Sequence, residues 1–151
     1  MTAEDYFAIQ NLVHRYPLLL DGGRLDELGE LFADAEVHIQ GRDEPIVRDP
    51  AEMTAMFRDF LRLYDGKPRT RHQMANLIIE PDGPDQARAS CSVVVFQQAP
   101  DLPLQPIITG DYQDRFAKVD GSWRFIERRI ANDLFGNLSA HGRWEYQPPA
   151  S

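Results

Sequence analysis

Tyr16, Asp21 and His72 are the residues of this chain whose types best suit proton-transfer chemistry. A carboxylate that holds an imidazole can take a proton from carbon without a cofactor, because histidine titrates near neutrality and the carboxylate stabilises the imidazolium. Asp21 precedes two glycines, so it equally fits a turn or a cap of the next helix. A structural histidine is the alternative for His72. The chemistry therefore depends on whether the fold joins the two side chains.

Further candidates for a binding pocket come from the predicted helices and strands. Tyr16 lies on an apolar helical face, and its hydroxyl needs a partner if it is buried. Strand alternation places Asn76 on the same face as His72, and Asn132 on the same face as Arg128. The Arg128 side chain either extends to solvent or holds an anionic or polarised ligand atom. Phe57 and Val37 complete the predicted substrate-binding set.

Apolar residues at helical spacing predict three helices in the first 65 residues. The first begins at a capping box formed by Thr2 and Asp5 and ends at the glycines 22–23, with a kink expected at Pro17. The second covers residues 25–32. The third begins after an aspartate–proline pair at 49–50 and carries an apolar face as far as residue 64.

Alternating or apolar runs separated by turn residues predict five strands, at 35–40, 70–80, 87–98, 107–119 and 123–132. Helices followed by a four-stranded antiparallel meander predict an α+β domain. In that arrangement a curved sheet wraps over the helices as a cone with a central apolar pocket. We expect residues 1–151 to form one domain, with a tail at 136–151 that closes the pocket or packs on a neighbouring subunit.

Composition excludes several classes of function. The net charge of −8 is poorly suited to neutralising nucleic-acid phosphates, so no nucleic-acid partner is expected. Cys91 is the single cysteine and lies in an apolar run, which indicates a core thiol and allows no internal disulfide. The histidines lack metal-ligand spacing, so no metal is predicted. The acidic N-terminus and the absence of a long apolar run indicate a cytoplasmic protein that makes no membrane contact.

A family resemblance rests on motifs spread over roughly residues 5–135. They are Ile9-Gln10-Asn11-Leu12, Arg15-Tyr16, Asp21-Gly22-Gly23-Arg24, Leu31-Phe32-Ala33-Asp34-Ala35-Glu36, Thr70-Arg71-His72, Asn76-Leu77, Gly110-Asp111-Tyr112-Gln113-Asp114 and Asp120-Gly121-Ser122-Trp123-Arg124-Phe125. With these motifs the chain resembles the SnoaL-like branch of the NTF2-like superfamily, whose fold is the cone described above. The branch includes scytalone dehydratase, bile-acid 7α-dehydratase, hexachlorocyclohexane dehydrochlorinase and dioxygenase β subunits.

The resemblance implies roles for individual residues. Asp21 and His72 match the Asp–His dyad of the dehydratases and the dehydrochlorinase. Tyr16 matches a site tyrosine of the bile-acid dehydratase, and Arg128 matches an arginine that assists the leaving chloride in the dehydrochlorinase. Leu20 stands where scytalone dehydratase has a tyrosine, and no second pocket histidine is apparent.

These inferences predict a cofactor-independent lyase, of the dehydratase type, that acts on a mostly apolar cyclic small molecule. An isomerase or polyketide-cyclase-like enzyme with the same dyad is the first alternative. A non-catalytic ligand-binding protein, or a dioxygenase-β-like subunit, is the second. The family resemblance further implies a homo-oligomer, with a trimer favoured over a dimer.

Overall fold

The computed structural model describes residues 1–143, which form three helices and one six-stranded sheet. The helices are α1 (Ala3–Asp21), α2 (Leu25–Leu31) and α3 (Pro50–Phe60). The strands are β1 (Glu36–Ile39), β2 (Ile46–Val47), β3 (Thr70–Pro81), β4 (Gln86–Ala99), β5 (Leu102–Val119) and β6 (Ser122–Phe135). The aromatic and proline residues of the predicted tail, Trp144, Tyr146, Pro148 and Pro149, lie outside the described residues.

The sheet has the strand order β2-β1-β6-β5-β4-β3 and does not close on itself. Strands β3 to β6 form the antiparallel meander that the sequence predicts, and β1 adds to it in parallel with β6. The short strand β2 was not predicted from the sequence. The predicted α+β class is confirmed, and the sheet leaves β3 as an edge strand next to α1.

Helix α1 delivers Asp21 to that edge. The predicted capping box is present: the backbone N–H of Thr2 donates to Asp5 Oδ2 (2.8 Å), and the backbone N–H of Asp5 donates to Thr2 Oγ1 (3.2 Å). The helix continues through Pro17 to Asp21, so the proline does not interrupt it. Asp21 is therefore the last helical residue, at the end of the element that packs against β3.

A β-bulge in β3 changes which side chains face the core. The pairing with β4 shifts between Ala75 and Ile78, and Asn76 takes a left-handed backbone conformation (φ 54°). As a result His72 and Ile79 are buried, whereas Asn76 is exposed. The prediction that Asn76 shares the inward face of His72 is wrong, because the bulge inverts the alternation after residue 75.

A second irregularity, in β6, turns a side chain towards the core rather than away from it. The pairing with β5 shifts so that Phe116 lies opposite Phe125 while Asp114 lies opposite Arg128. Both Phe125 and Arg128 therefore point into the core, at 1% and 0% exposure. Strict alternation from Phe125 would have turned Arg128 outward.

The core fills the space between the inner sheet face and the helices. It includes Val37 (0% exposed), Phe57 (8%) and Cys91 (4%). Cys91 is thus a core thiol, as predicted, and burial raises its pKa to about 11. Helix α3 ends at Phe60, before the predicted limit at Tyr64.

Candidate active site

Asp21 and His72 are in direct contact. The Nδ1 atom of His72 lies 2.6 Å from Asp21 Oδ1. Because β3 is an edge strand, the backbone N–H of His72 can donate outward to Asp21 Oδ2, at 2.8 Å. Thr70 adds a third hydrogen bond, from its hydroxyl to Asp21 Oδ1 (2.7 Å). One carboxylate therefore holds both the ring and the backbone of the histidine.

The hydrogen bonds of Asp21, with the charge of His72, lower its pKa by more than burial raises it. Burial alone raises the pKa of this carboxyl, but the hydrogen bond and charge of His72, its backbone N–H and the Thr70 hydroxyl together hold the pKa below its usual value. Asp21 is consequently ionised at neutral pH and can only accept hydrogen bonds. It follows that His72 Nδ1 carries a proton. Nε2 has no hydrogen-bond partner within residues 1–143, so it is the nitrogen available for chemistry.

Tyr16 lies behind the dyad rather than in an open pocket. Its ring is 2% exposed and meets the His72 ring edge to face, with centroids 6.0 Å apart. Burial raises the pKa of Tyr16. The charge of Arg128 and a hydrogen bond between the hydroxyls of Tyr16 and Tyr112 lower it, but by less. The partner that the buried hydroxyl needs is thus Tyr112, a residue of the protein itself. In this position Tyr16 supports the His72 ring.

Arg128 forms a buried ion pair below these rings. Its Nε and Nη2 donate to the two carboxylate oxygens of Asp114, each at 2.7 Å, and both side chains are at most 1% exposed. The guanidinium carbon lies 4.6 Å from the centroid of the Tyr16 ring and 4.9 Å from that of Tyr112. Within the described residues its Nη1 has no hydrogen-bond partner. The sequence suggested that Arg128 extends to solvent or binds a ligand. The side chain instead pairs with Asp114 inside the core.

His141 is a site residue that the sequence analysis missed. It is 9% exposed, its ring packs edge to face on Phe60 with centroids 5.5 Å apart, and its Nδ1 is buried without a hydrogen-bond partner in residues 1–143. Burial, assisted by the nearby charge of His72 and opposed by that of Asp21, lowers the pKa of His141 to about 4. His141 is therefore a neutral imidazole within electrostatic reach of the dyad. It comes from a segment after β6 with no periodic pattern to mark it.

A cavity of about 950 Å³ opens beside His141. Its lining combines apolar and polar side chains, namely Ile39, Gln40, Gly41, Arg42, Met56, Phe60, Arg62, Ile108, Asn132, Leu138, Ser139, His141, Gly142 and Arg143. Of the residues predicted to bind substrate, Asn132 lines this cavity. Val37 and Phe57 are packed in the core instead, and Asn76 is on the outer surface. Asp21 and His72 do not line the cavity, so His141 is the lining residue that connects it electrostatically to the dyad.

Within residues 1–143, no group of three histidine, cysteine, aspartate or glutamate side chains is arranged to hold a metal ion. No helix of that range is both long and apolar enough to cross a membrane.

The N-terminal helices and the open six-stranded sheet define the class of cone-fold α+β proteins. A family model, the SnoaL-like domain, matches residues 1–129. The chain therefore belongs to the SnoaL-like family. No curated protein matches it significantly.

Solved structures agree with this fold. An NTF2-like protein with a cystatin-like fold from Novosphingobium aromaticivorans is 24% identical, with a TM-score of 0.71 over 91% of this chain and 86% of that one. A candidate scytalone dehydratase from the same organism is 21% identical, with a TM-score of 0.71 over 97% and 94% of the two chains. The β subunit of a candidate aromatic-ring-hydroxylating dioxygenase, also from that organism, is 25% identical, with a TM-score of 0.63 over 85% and 89%.

Proposed function

We propose that this protein is a cofactor-independent lyase of the dehydratase type, in which His72 is the base and Asp21 orients it. The contact between His72 Nδ1 and Asp21 Oδ1 carries the proposal. An ionised carboxylate that fixes the tautomer of an imidazole leaves the opposite nitrogen free to accept a proton. The cavity next to His141 is the candidate place for the substrate, and His141 is within electrostatic reach of the pair.

The proposed reaction is the loss of water from a β-hydroxy carbonyl compound. His72 Nε2 takes the proton from the carbon beside the carbonyl group, and the electron pair of that C–H bond forms an enolate. The enolate then forms a carbon–carbon double bond as the C–O bond to the hydroxyl group breaks. The proton on the imidazolium passes to the departing oxygen, so that water leaves and His72 returns to its neutral form. Asp21 stabilises the imidazolium between these steps.

Isomerisation and cyclisation share the first step and are the main alternative. They differ in that the enolate is protonated, or attacks a carbonyl carbon, without losing the hydroxyl group. A non-catalytic role, such as that of a dioxygenase β subunit, is the other alternative, and the structural similarity to one such subunit supports it. The hydrogen bonds from His72 to Asp21 favour an enzyme, because a carboxylate that orients an imidazole prepares it for proton transfer. The homo-oligomer implied by the family resemblance remains a proposal.

The experiment is a turnover assay of the purified protein with a panel of cyclic β-hydroxy ketones, esters and acids. A lyase produces a conjugated product that absorbs in the ultraviolet and has lost one water by mass spectrometry, whereas an isomerase product keeps its mass. His72→Ala should lower kcat by about 10²–10⁴-fold while the circular dichroism spectrum is unchanged. His14→Gln, a histidine outside the site, is the matched control. A folded His72→Ala protein with normal turnover would disprove the role of the dyad.

A further inference from the structure

The cavity is positively charged although the protein is acidic. The chain carries a net charge of −8. Yet, within residues 1–143, the cavity lining contains the three arginines Arg42, Arg62 and Arg143 and no aspartate or glutamate. Arg42 is neutralised by an ion pair with Glu52. Arg62 and Arg143 have no carboxylate partner among residues 1–143, so the excess charge of the cavity belongs to these two side chains.

The two arginines belong to a short antiparallel ribbon, formed by residues 60–62 and 141–143. The backbone N–H of Arg62 donates to the carbonyl of His141 (2.9 Å), and that of Arg143 donates to the carbonyl of Phe60 (2.8 Å). In such a ribbon alternate side chains share a face. Leu61 points into the core at 2% exposure. Phe60, Arg62, His141 and Arg143 all line the cavity.

Each guanidinium is fixed by one hydrogen bond to the opposite side of the ribbon. Arg62 Nε donates to the carbonyl of Gly142 (2.7 Å), and Arg143 Nε donates to the carbonyl of Leu61 (3.2 Å). A guanidinium has five N–H donors, so most of its donors remain for a ligand. The fork geometry of these donors matches a carboxylate.

The ribbon itself is anchored to the rest of the fold. The carbonyl of Ala140, next to His141, accepts hydrogen bonds from the Tyr64 hydroxyl (2.9 Å) and from Gln97 Nε2 (3.0 Å). Gln97 is fully buried. The position of the arginines is thus set before any ligand arrives, which lowers the ordering cost of binding.

We propose that the ligand of this cavity has an apolar body and a carboxylate group, and that Arg62 and Arg143 bind the carboxylate. Apolar side chains such as Ile39, Met56 and Ile108 line the rest of the cavity and would contact the body of the ligand. This inference rests on the proposed function, since it names the substrate class of the same site. It narrows the substrate to a cyclic β-hydroxy compound that also carries an acid group.

The test compares two fluorescent probes that differ by one sulfonate group. 8-Anilinonaphthalene-1-sulfonate carries a sulfonate, and N-phenyl-1-naphthylamine is its neutral counterpart; both become fluorescent in apolar surroundings. We expect the anionic probe to bind the folded protein about tenfold more tightly. Arg62→Gln together with Arg143→Gln should abolish that difference and leave the neutral probe unaffected. Equal affinity of the wild-type protein for the two probes would overturn the proposal, and this result needs no variant.

Two controls separate the cavity from general anion binding. Arg69 is also exposed and also donates through Nε to a backbone carbonyl, that of Gln98 (3.0 Å), but it does not line the cavity. Arg69→Gln should leave the affinity for the anionic probe unchanged, and an equal loss in this variant would contradict the proposal. N-Phenylanthranilate should displace the probe at about tenfold lower concentration than its neutral methyl ester, whereas inorganic phosphate should not displace it. Displacement by phosphate at the same concentration would indicate a simple anion site instead. None of these readouts depends on turnover, so a failure here is distinguishable from a failure of the dyad.

Discussion

The ring of His72 lies 2.6 Å from the carboxylate of Asp21, across the junction between the end of α1 and the edge strand of the sheet. The same carboxylate accepts the backbone N–H of His72 and the hydroxyl of Thr70. An edge strand has unpaired N–H groups, and here one of them orients a carboxylate. The position of the dyad is therefore a consequence of the sheet order as well as of the two side chains.

The first prediction concerns the tautomer of His72. In Asp21→Asn the amide oxygen and nitrogen can both approach the ring, so Nδ1 is no longer forced to carry the proton. We expect kcat in the dehydration assay to fall by about 10²–10⁴-fold with little change in KM. The matched control is Asp26→Asn, an exposed aspartate paired with Arg58. Equal turnover of Asp21→Asn and wild type would show that the carboxylate does not orient the base.

A second prediction concerns acid stability. The pKa of Asp21 is lower in the folded protein than in the unfolded chain, so its ionised form stabilises the fold. This contribution is fully present above the unfolded pKa of about 4 and is lost as the pH falls through the folded value. The free energy of unfolding of wild type should therefore exceed that of Asp21→Asn at pH 7, and the difference should shrink below about pH 4. Urea titrations of both proteins across that range measure it. A constant difference at all pH values would contradict the assignment.

How far the sequence predicts the fold depends on the kind of signal. Side-chain periodicity and turn residues predict the three helices and the meander, because these patterns are local. The bulges in β3 and β6 are not predicted, since they depend on the register between neighbouring strands. The bulge at Asn76 turns that residue outward, and the one beside Ile126 turns Arg128 inward. Alternation read along a single strand therefore fails at both positions.

In the site, too, local sequence signals predict residue types, whereas contacts that depend on strand pairing are not predicted. Asp21 and His72 are recognisable from their types and from the family resemblance, but their contact depends on the order of strands in the sheet. Asp114 had a signal that was not used: it alternates with Tyr112 and Phe116 on one buried face of β5, and a carboxylate there needs a partner. His141 had no such signal. It becomes buried because its segment pairs with residues 60–62, which are distant in the chain.

The third prediction concerns the protonation of His141. Burial lowers its pKa to about 4, whereas an unfolded histidine titrates near 6.5. The unfolded chain therefore binds the proton first, and the folded state loses stability as the pH falls from about 6.5 to about 4, by at most about 3 kcal/mol. His141→Gln should show a flatter profile in this window, by urea unfolding at each pH. In NMR spectra of the wild type, one histidine ring should titrate near pH 4; titration of all four rings near 6.5 would refute the prediction.

The last prediction concerns the buried pair of Arg128 and Asp114. Removing one partner leaves a charge without compensation in the core, so Arg128→Met and Asp114→Leu should each lower the free energy of unfolding by about 3–5 kcal/mol. The double variant removes both charges and should be less destabilised than either single variant. Urea unfolding of the four proteins forms a double-mutant cycle. Arg124 lies on the same strand as Arg128 and forms an exposed pair with Asp34. Arg124→Met is therefore the control and should cost no more than about 1 kcal/mol. Additive losses in the cycle would show that the two buried charges do not depend on each other.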